Sequence, residues 1–224
     1  MAQQPEGPTR EQLEAQRPEE FWESLYATYR EGGGAWGARV NPVLAEVAQG
    51  LEAGTALDLA CGAGGDTVWL ARRGWRVTAA DISPTAVGQL LRTARAEGLG
   101  DLVTAECHDL AHSFPAGTFD LVSAQYFHTP YALPRAAVLR TAARALLPGG
   151  RLLVVDHGSR APWSWKLDPE IQAQTPEQVY ADLGLPADGW RVERAERRAR
   201  QATGPGGQTA TVTDHVLLVR RAED

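Results

Sequence analysis

A small set of side chains at fixed spacing carries whatever chemistry this sequence can do. They are Asp58, the glycines of Cys61-Gly62-Ala63-Gly64-Gly65, Asp81, and His128 within Gln125-Tyr126-Phe127-His128-Thr129-Pro130-Tyr131. Missing Cβ atoms let the glycine segment bend sharply and let a ligand approach its backbone. Asp81 follows Gly62 by about 20 positions, the separation at which a carboxylate closing the next strand accepts both hydroxyls of a ribose. A dinucleotide turn would place its third glycine where Thr67 stands, and Asp66 would set a like charge against a pyrophosphate at the helix N-terminus. A nucleoside without phosphates meets neither obstacle. His128 is the candidate base, because a histidine ring titrates near neutrality and can take a proton from a hydroxyl or an ammonium. A loop histidine that binds nothing is the alternative. Tyr126, Asp156 and His157 are further polar residues expected at strand ends, without assigned chemistry.

The elements that must position these residues are legible in order. Thr55 to Ala60 reads as a buried strand, and Val68-Trp69-Leu70-Ala71 as a helix that runs into Arg72-Arg73 and stops at Gly74. A second strand ends at Asp81. Ser83-Pro84 is a helix cap and first residue, and the helix continues through Val87, Leu90 and Leu91 to Gly98. Leu102 to Cys107 and Thr118 to Ala124 are the third and fourth strands. The fourth opens into the His128 loop at the topological switch point, where an open α/β sheet holds its ligands. A helix from Pro134 to Leu147 and the turn Pro148-Gly149-Gly150 lead to a fifth strand, Arg151 to Asp156. Thr175-Pro176-Glu177-Gln178 has the form of a capping box. Strands near Trp190 to Arg197 and Gln208 to Arg220, joined by a glycine-rich turn, must be antiparallel.

Asp58-Leu59-Ala60-Cys61-Gly62-Ala63-Gly64 resembles the first motif of the class I S-adenosylmethionine-dependent methyltransferases, an acid, one spacer and G-C-G-x-G, with Ala60 in place of the first glycine. The resemblance spans about residues 40 to 221 and leans toward the tellurite and thiopurine branch. It implies a single Rossmann-like, doubly wound α/β domain. Its seven-stranded sheet would be mostly parallel with an antiparallel C-terminal hairpin, beneath a helical N-terminal lid. The implied cofactor is S-adenosyl-L-methionine. The implied reaction is in-line methyl transfer to an O, N, S or similar nucleophile of a small molecule. Cofactor contacts are expected from Trp22, Trp36, Asp58, Ala60, Gly62, Gly64, Asp81 and Gln125. Asp109 would accept from the adenine amino group, with Leu110 and Ile82 covering the ring; a turn cap is the other reading of Asp109. Tyr126, Tyr131, His157 and Trp163 would line the substrate. A catalytically inactive cofactor-binding regulator or partner subunit is the alternative function, and a nicotinamide oxidoreductase is disfavoured by Asp66 and Thr67.

Composition sets the outer bounds. The 224 residues suit one α/β domain, assigned to 41–224, preceded by a helical lid segment at 18–40 and a disordered start at 1–17. Phe21, Trp22, Leu25, Tyr26 and Tyr29 recur at helical spacing and form one aromatic face, which either closes over a sulfonium cation or simply caps the core. With 22 basic against 28 acidic residues the net charge is −6, which gives no general attraction to nucleic acid or anionic membrane. No apolar run approaches the roughly 18 residues of a membrane span. Cys61 and Cys107 fall on strands separated by another, about 10 Å apart, too far for a disulfide. Neither has a companion at metal spacing. A cytoplasmic protein with a small-molecule substrate is the expectation, and the oligomeric state is not written in the sequence.

Overall fold

We describe a computed structural model of the chain, covering residues 9–31, 39–164, 173–204 and 206–223. Trp36 lies outside these residues. Within the segment expected from sequence to be disordered, α1 (Arg10–Glu14) forms. Thr9 accepts from Gln12 N–H through its side chain, and the Gln12 side chain accepts from Thr9 N–H at 2.8 Å. Such a reciprocal box supports one turn of helix in which Leu13 is the one apolar residue, so a polar composition conceals it.

Helix α2 (Pro18–Glu31) carries the aromatic face, and α3 (Pro42–Gln49) starts on the Asn41 cap, whose side chain accepts from Val43 N–H at 2.9 Å. Then follow β1 (Thr55–Leu59), α4 (Gly65–Ala71), β2 (Arg76–Asp81), α5 (Pro84–Ala96) and β3 (Val103–Cys107). The second half contains β4 (Phe119–Gln125), α6 (Arg135–Arg144), β5 (Leu146–His157), α7 (Pro176–Leu183), β6 (Trp190–Thr203) and β7 (Thr209–Arg221). The seven strands order as β3-β2-β1-β4-β5-β7-β6. Strands β1 to β5 pair in parallel, and β7 runs antiparallel to both β5 and β6.

Alternation along the strands explains the two-faced core. Leu153 and Val155 of β5, with Val216 and Leu218 of β7, meet helices α3, α4 and α5. Their neighbours Leu152, Val154, Leu217 and Val219 meet α6 and α7 on the other face. Because successive side chains point to opposite sides, these fully apolar runs need helices on both faces, and a parallel sheet supplies them. The chain winds to one side from β1 through β3 and to the other from β4 onward, so the reversal lies between β1 and β4. Asp120 pins these two strands at their far end, accepting from Thr55 N–H at 2.7 Å and Thr55 Oγ1 at 2.9 Å. Both cysteines are free, Cys61 buried and Cys107 exposed. Among the described residues no helix is long and apolar enough to cross a membrane.

Candidate active site

The glycine turn leaves β1 through three left-handed residues, Ala60 at φ 54°, Gly62 at 52° and Gly64 at 81°. For Ala60 this backbone costs roughly 1–2 kcal/mol, which marks the position where the resembling motif has glycine. At Gly64 a Cβ would land 2.4 Å from Leu90 Cδ1, so only glycine lets the turn sit this close to α5. Gly62 N–H donates to Asp81 Oδ2 at 2.9 Å and Ser83 N–H to Oδ1 at 3.0 Å. The carboxylate that ends β2 is therefore fixed by backbone donors on both oxygens.

Three carboxyls are packed around this turn. Asp58 and Asp81 are 2% and 4% exposed. Asp58 accepts from Thr67 Oγ1 at 2.6 Å, and Asp66 accepts from Asn41 N–H at 2.6 Å. Burial pushes all three pKa values up; the Asp66 charge adds to this at Asp58, while backbone donors at Ser83, Gly62 and Ile82 partly offset it at Asp81. Among the described residues, no cation stands among the main groups acting on them. A buried acidic cluster left without a cation favours a ligand that brings positive charge and hydroxyl donors.

Across the switch point the polar groups are arranged differently. Asp156, 3% exposed at the end of β5, receives both oxygens' donors from Arg135 Nη2 at 2.7 and 2.6 Å, and His128 Nε2 lies 3.1 Å from Oδ1. Arg135 also donates through Nε to the Phe127 carbonyl at 3.0 Å, which ties the His128 loop to the same clamp. Burial alone would raise the Asp156 pKa, but the His128 hydrogen bond and the Arg135 charge outweigh it and hold the carboxyl below its ordinary value. Beside this clamp, Tyr126 stacks on His157 with centroids 4.1 Å apart and donates its hydroxyl to Asp214 Oδ2 at 2.9 Å. Arg200 Nε donates to the same oxygen at 2.6 Å. Tyr126 holds a φ of 51°, a second non-glycine residue in the left-handed region. Desolvation pushes the His157 pKa below the ordinary value, with the His128 charge adding to it and the Asp214 and Asp156 charges opposing it.

Three buried side-chain atoms among the described residues lack a hydrogen-bond partner: Gln125 Oε1, Tyr131 Oη and Asp214 Oδ1. Gln125 and Tyr131 were both singled out from sequence. Gln125 donates its amide to Ser123 Oγ at 2.8 Å. Trp22 Nε1 donates to Thr129 Oγ1 at 3.4 Å, and Phe21 meets Tyr131 edge-on at 5.7 Å, so α2 touches the His128 loop. Ile82 and Leu110 are half-buried. Asp109 serves its own turn, accepting from Ala111 N–H at 3.0 Å and pairing with His112 Nδ1 at 2.8 Å, which is the turn-cap reading. Trp163 is half-buried against the turn between β6 and β7, its Cδ2 lying 2.7 Å from where a Cβ on Gly204 would stand. Tyr26, Arg135, Arg200 and Asp214 were not singled out for the site. Their partners lie 88 residues away for Tyr126 with Asp214 and 21 for Arg135 with Asp156, so no local pattern announces them.

S-adenosylmethionine, with its sulfonium, ammonium and ribose hydroxyls, suits the uncompensated carboxyls and the bare backbone at Gly62. The sequence profile described as Methyltransferase domain matches residues 56–150. Methyltransferase GfsG of Streptomyces halstedii is 36% identical over 104 residues, 45% of this chain and 36% of that protein. A ubiquinone biosynthesis O-methyltransferase of Xanthomonas oryzae pv. oryzae is 35% identical over 105 residues, 44% of this chain and 41% of that protein. The chain thus spans less than half the length of these relatives. A structure solved for the conversion of a disulfide bond into a thioacetal group during echinomycin biosynthesis is 26% identical, with a TM-score of 0.67 over 89% of this chain and 92% of that one. TehB from Haemophilus influenzae, at 16% identity, shares the fold with a TM-score of 0.65 over 81% of this chain and 62% of that one. Residues 56–150 thus match a methyltransferase domain profile, and the sheet that holds them has the Rossmann-like fold of the solved structures it resembles.

Proposed function

We propose that this chain transfers a methyl group from S-adenosylmethionine to a nucleophilic atom of a small, uncharged molecule, with a hydroxyl as the preferred acceptor. The observation that carries the reading is the meeting, at one switch point, of an acidic pocket to which the described residues bring no prominent cation and a histidine oriented by a clamped carboxylate. When bound, the cofactor supplies a methyl group already activated by its sulfonium. The chain's own residues then have to align the acceptor and keep water out, and positioning alone is worth roughly 7–11 kcal/mol of barrier.

Asp81 and the Gly62 turn hold the ribose in this reading, and Asp58 and Asp66 face the positive end of the cofactor. His128 donates through Nε2 to Asp156, which leaves the Nδ1 lone pair to take the acceptor's proton. Asp156 stays ionised and stabilises the imidazolium that results. Arg135 and Arg200 are each committed to a carboxylate, so the wall offers an incoming anion little uncompensated positive charge. This favours alcohols or phenols over oxyanions. The curated O-methyltransferase relatives agree with an oxygen acceptor. Tyr126, Tyr131, His157 and Trp163 would form the acceptor wall, and the helix α2 would act as a lid. The free cysteines suit a cytoplasmic enzyme.

The test is turnover with S-adenosylmethionine and a panel of neutral phenols and alcohols, thiols and oxyanions. Mass detection follows both S-adenosylhomocysteine and methylated product. Release of S-adenosylhomocysteine with a neutral hydroxyl acceptor supports the reading. Tight cofactor binding without turnover on any acceptor would instead favour the non-catalytic regulator.

A further inference from the structure

Helix α2 places the Tyr26 side chain in the seat that the cofactor reading assigns to the ribose. A Cβ built on Gly62 would stand 3.0 Å from Tyr26 Oη and 3.8 Å from two of its ring carbons. Gly62 N–H itself lies 2.9 Å from Asp81 Oδ2, so the phenol sits over the bare backbone beside the carboxylate. Burial, with the Asp81 charge adding to it, pushes the Tyr26 pKa up, which keeps the hydroxyl protonated as a donor beside Asp81. The hydroxyl thus gives Asp81 what a ribose hydroxyl would give.

Other contacts fix α2 in this place. Glu23 Oε2 accepts from Ser83 Oγ at 2.5 Å and from Thr85 N–H at 3.1 Å, while Oε1 accepts from Thr85 Oγ1. The carboxylate therefore sits on the first turn of α5, immediately after Asp81, where a negative charge is favoured by the helix dipole. On its other side α2 reaches the His128 loop through Trp22 and Phe21. A single helix spans both the nucleoside seat and the acceptor wall.

We propose that Tyr26 is a resident stand-in for the ribose: its hydroxyl occupies the Asp81–Gly62 seat in the free protein, and the cofactor must displace it, moving α2, before the acceptor wall takes its working shape. This rests on the cofactor reading above. It makes cofactor binding pay for breaking the tyrosine contact, and it makes the cofactor bind before the acceptor. A competitor that must be removed lowers apparent affinity in proportion to the fraction of protein in the open state.

The test compares the full chain with Tyr26→Phe, which keeps the ring and removes only the hydroxyl, and with Glu23→Gln, which weakens the hold on α5. S-adenosylhomocysteine binding is measured by calorimetry, and amide hydrogen exchange of α2 is followed with and without that ligand. The expected result is binding about threefold to tenfold tighter for Tyr26→Phe, the range of one ordinary hydrogen bond. Glu23→Gln should shift affinity in the same direction, and α2 exchange should rise when ligand is added to the parent chain. Unchanged or weaker binding by Tyr26→Phe, or α2 exchange indifferent to ligand, overturns the inference alone. Absence of binding by parent and variants overturns the cofactor reading and the inference with it.

Discussion

The two halves of the site handle buried charge in opposite ways. Around the glycine turn, Asp58 and Asp81 are buried and Asp66 half-buried, with hydroxyl and amide donors but, among the described residues, no cation prominent among the groups acting on them. Across the switch point, Asp156 and Asp214 are buried just as deeply, yet each is gripped by an arginine. A buried carboxylate without a cation is held at a loss of stability that an incoming positive ligand can recover, whereas a clamped one is already satisfied and serves as a rigid support. The first arrangement suits binding and the second suits orientation.

The comparison can be broken most severely at the clamp. Arg135→Met leaves buried Asp156 without its arginine and with His128 as its remaining partner, and thermal or denaturant unfolding should show a loss of about 3–5 kcal/mol. Adding Asp156→Asn to that variant should restore part of it, since the stranded charge is then gone. His128→Ala tests orientation without that structural loss: turnover on a hydroxyl acceptor should fall by about 100-fold while S-adenosylhomocysteine affinity stays unchanged. Equal rates for parent and variant across the pH range would remove His128 as a base. On the binding side, Asp81→Ala should weaken S-adenosylhomocysteine by about 1–3 kcal/mol in calorimetry, and unaltered affinity would mean the ribose assignment is wrong.

The smallest effect sharpens the contrast through pH. Asp58, with its pKa raised by folding, subtracts stability above the ordinary carboxylate range, and that deficit disappears as pH falls. Asp156, with its pKa lowered, adds stability that is present above the ordinary value and lost as pH falls through the lower folded one. Asp58→Asn should therefore gain about 1 kcal/mol on the parent at mildly alkaline pH. Paired thermal melts should show that gain shrinking toward mildly acidic pH. A gain independent of pH would mean that Asp58 is not held at a raised value.

The half around the glycine turn was legible as structure because it is local. Asp58, Gly62, Gly64 and Asp81 lie within one βαβ unit, and each cap that frames it, Asn41-Pro42 and Ser83-Pro84, has a short-range chemical signature. The strand order followed from the same unit repeated and from the antiparallel pair at the end. The half across the switch point was only partly legible. His128, Tyr126 and His157 could be placed at strand ends, but Arg135 reads as an ordinary surface residue at a helix start, and Arg200 as one of many arginines on β6. What gives them meaning is pairing across the sheet, which no period of 2 or 3.6 encodes. Tyr26 was read as part of an aromatic face, whereas its hydroxyl, not its ring, makes the informative contact.

One consequence follows from where β7 sits. It comes after every other strand in the chain yet is inserted between β5 and β6, and it brings Asp214 against Tyr126. During synthesis the glycine turn and Asp81, the proposed nucleoside seat, can therefore be assembled while the support for Tyr126 is still missing. Loop closure over so many residues is entropically slow, so competence to hold the donor should precede competence to present an acceptor. A pulse of refolding followed by both ligand capture and turnover would resolve the two events in time.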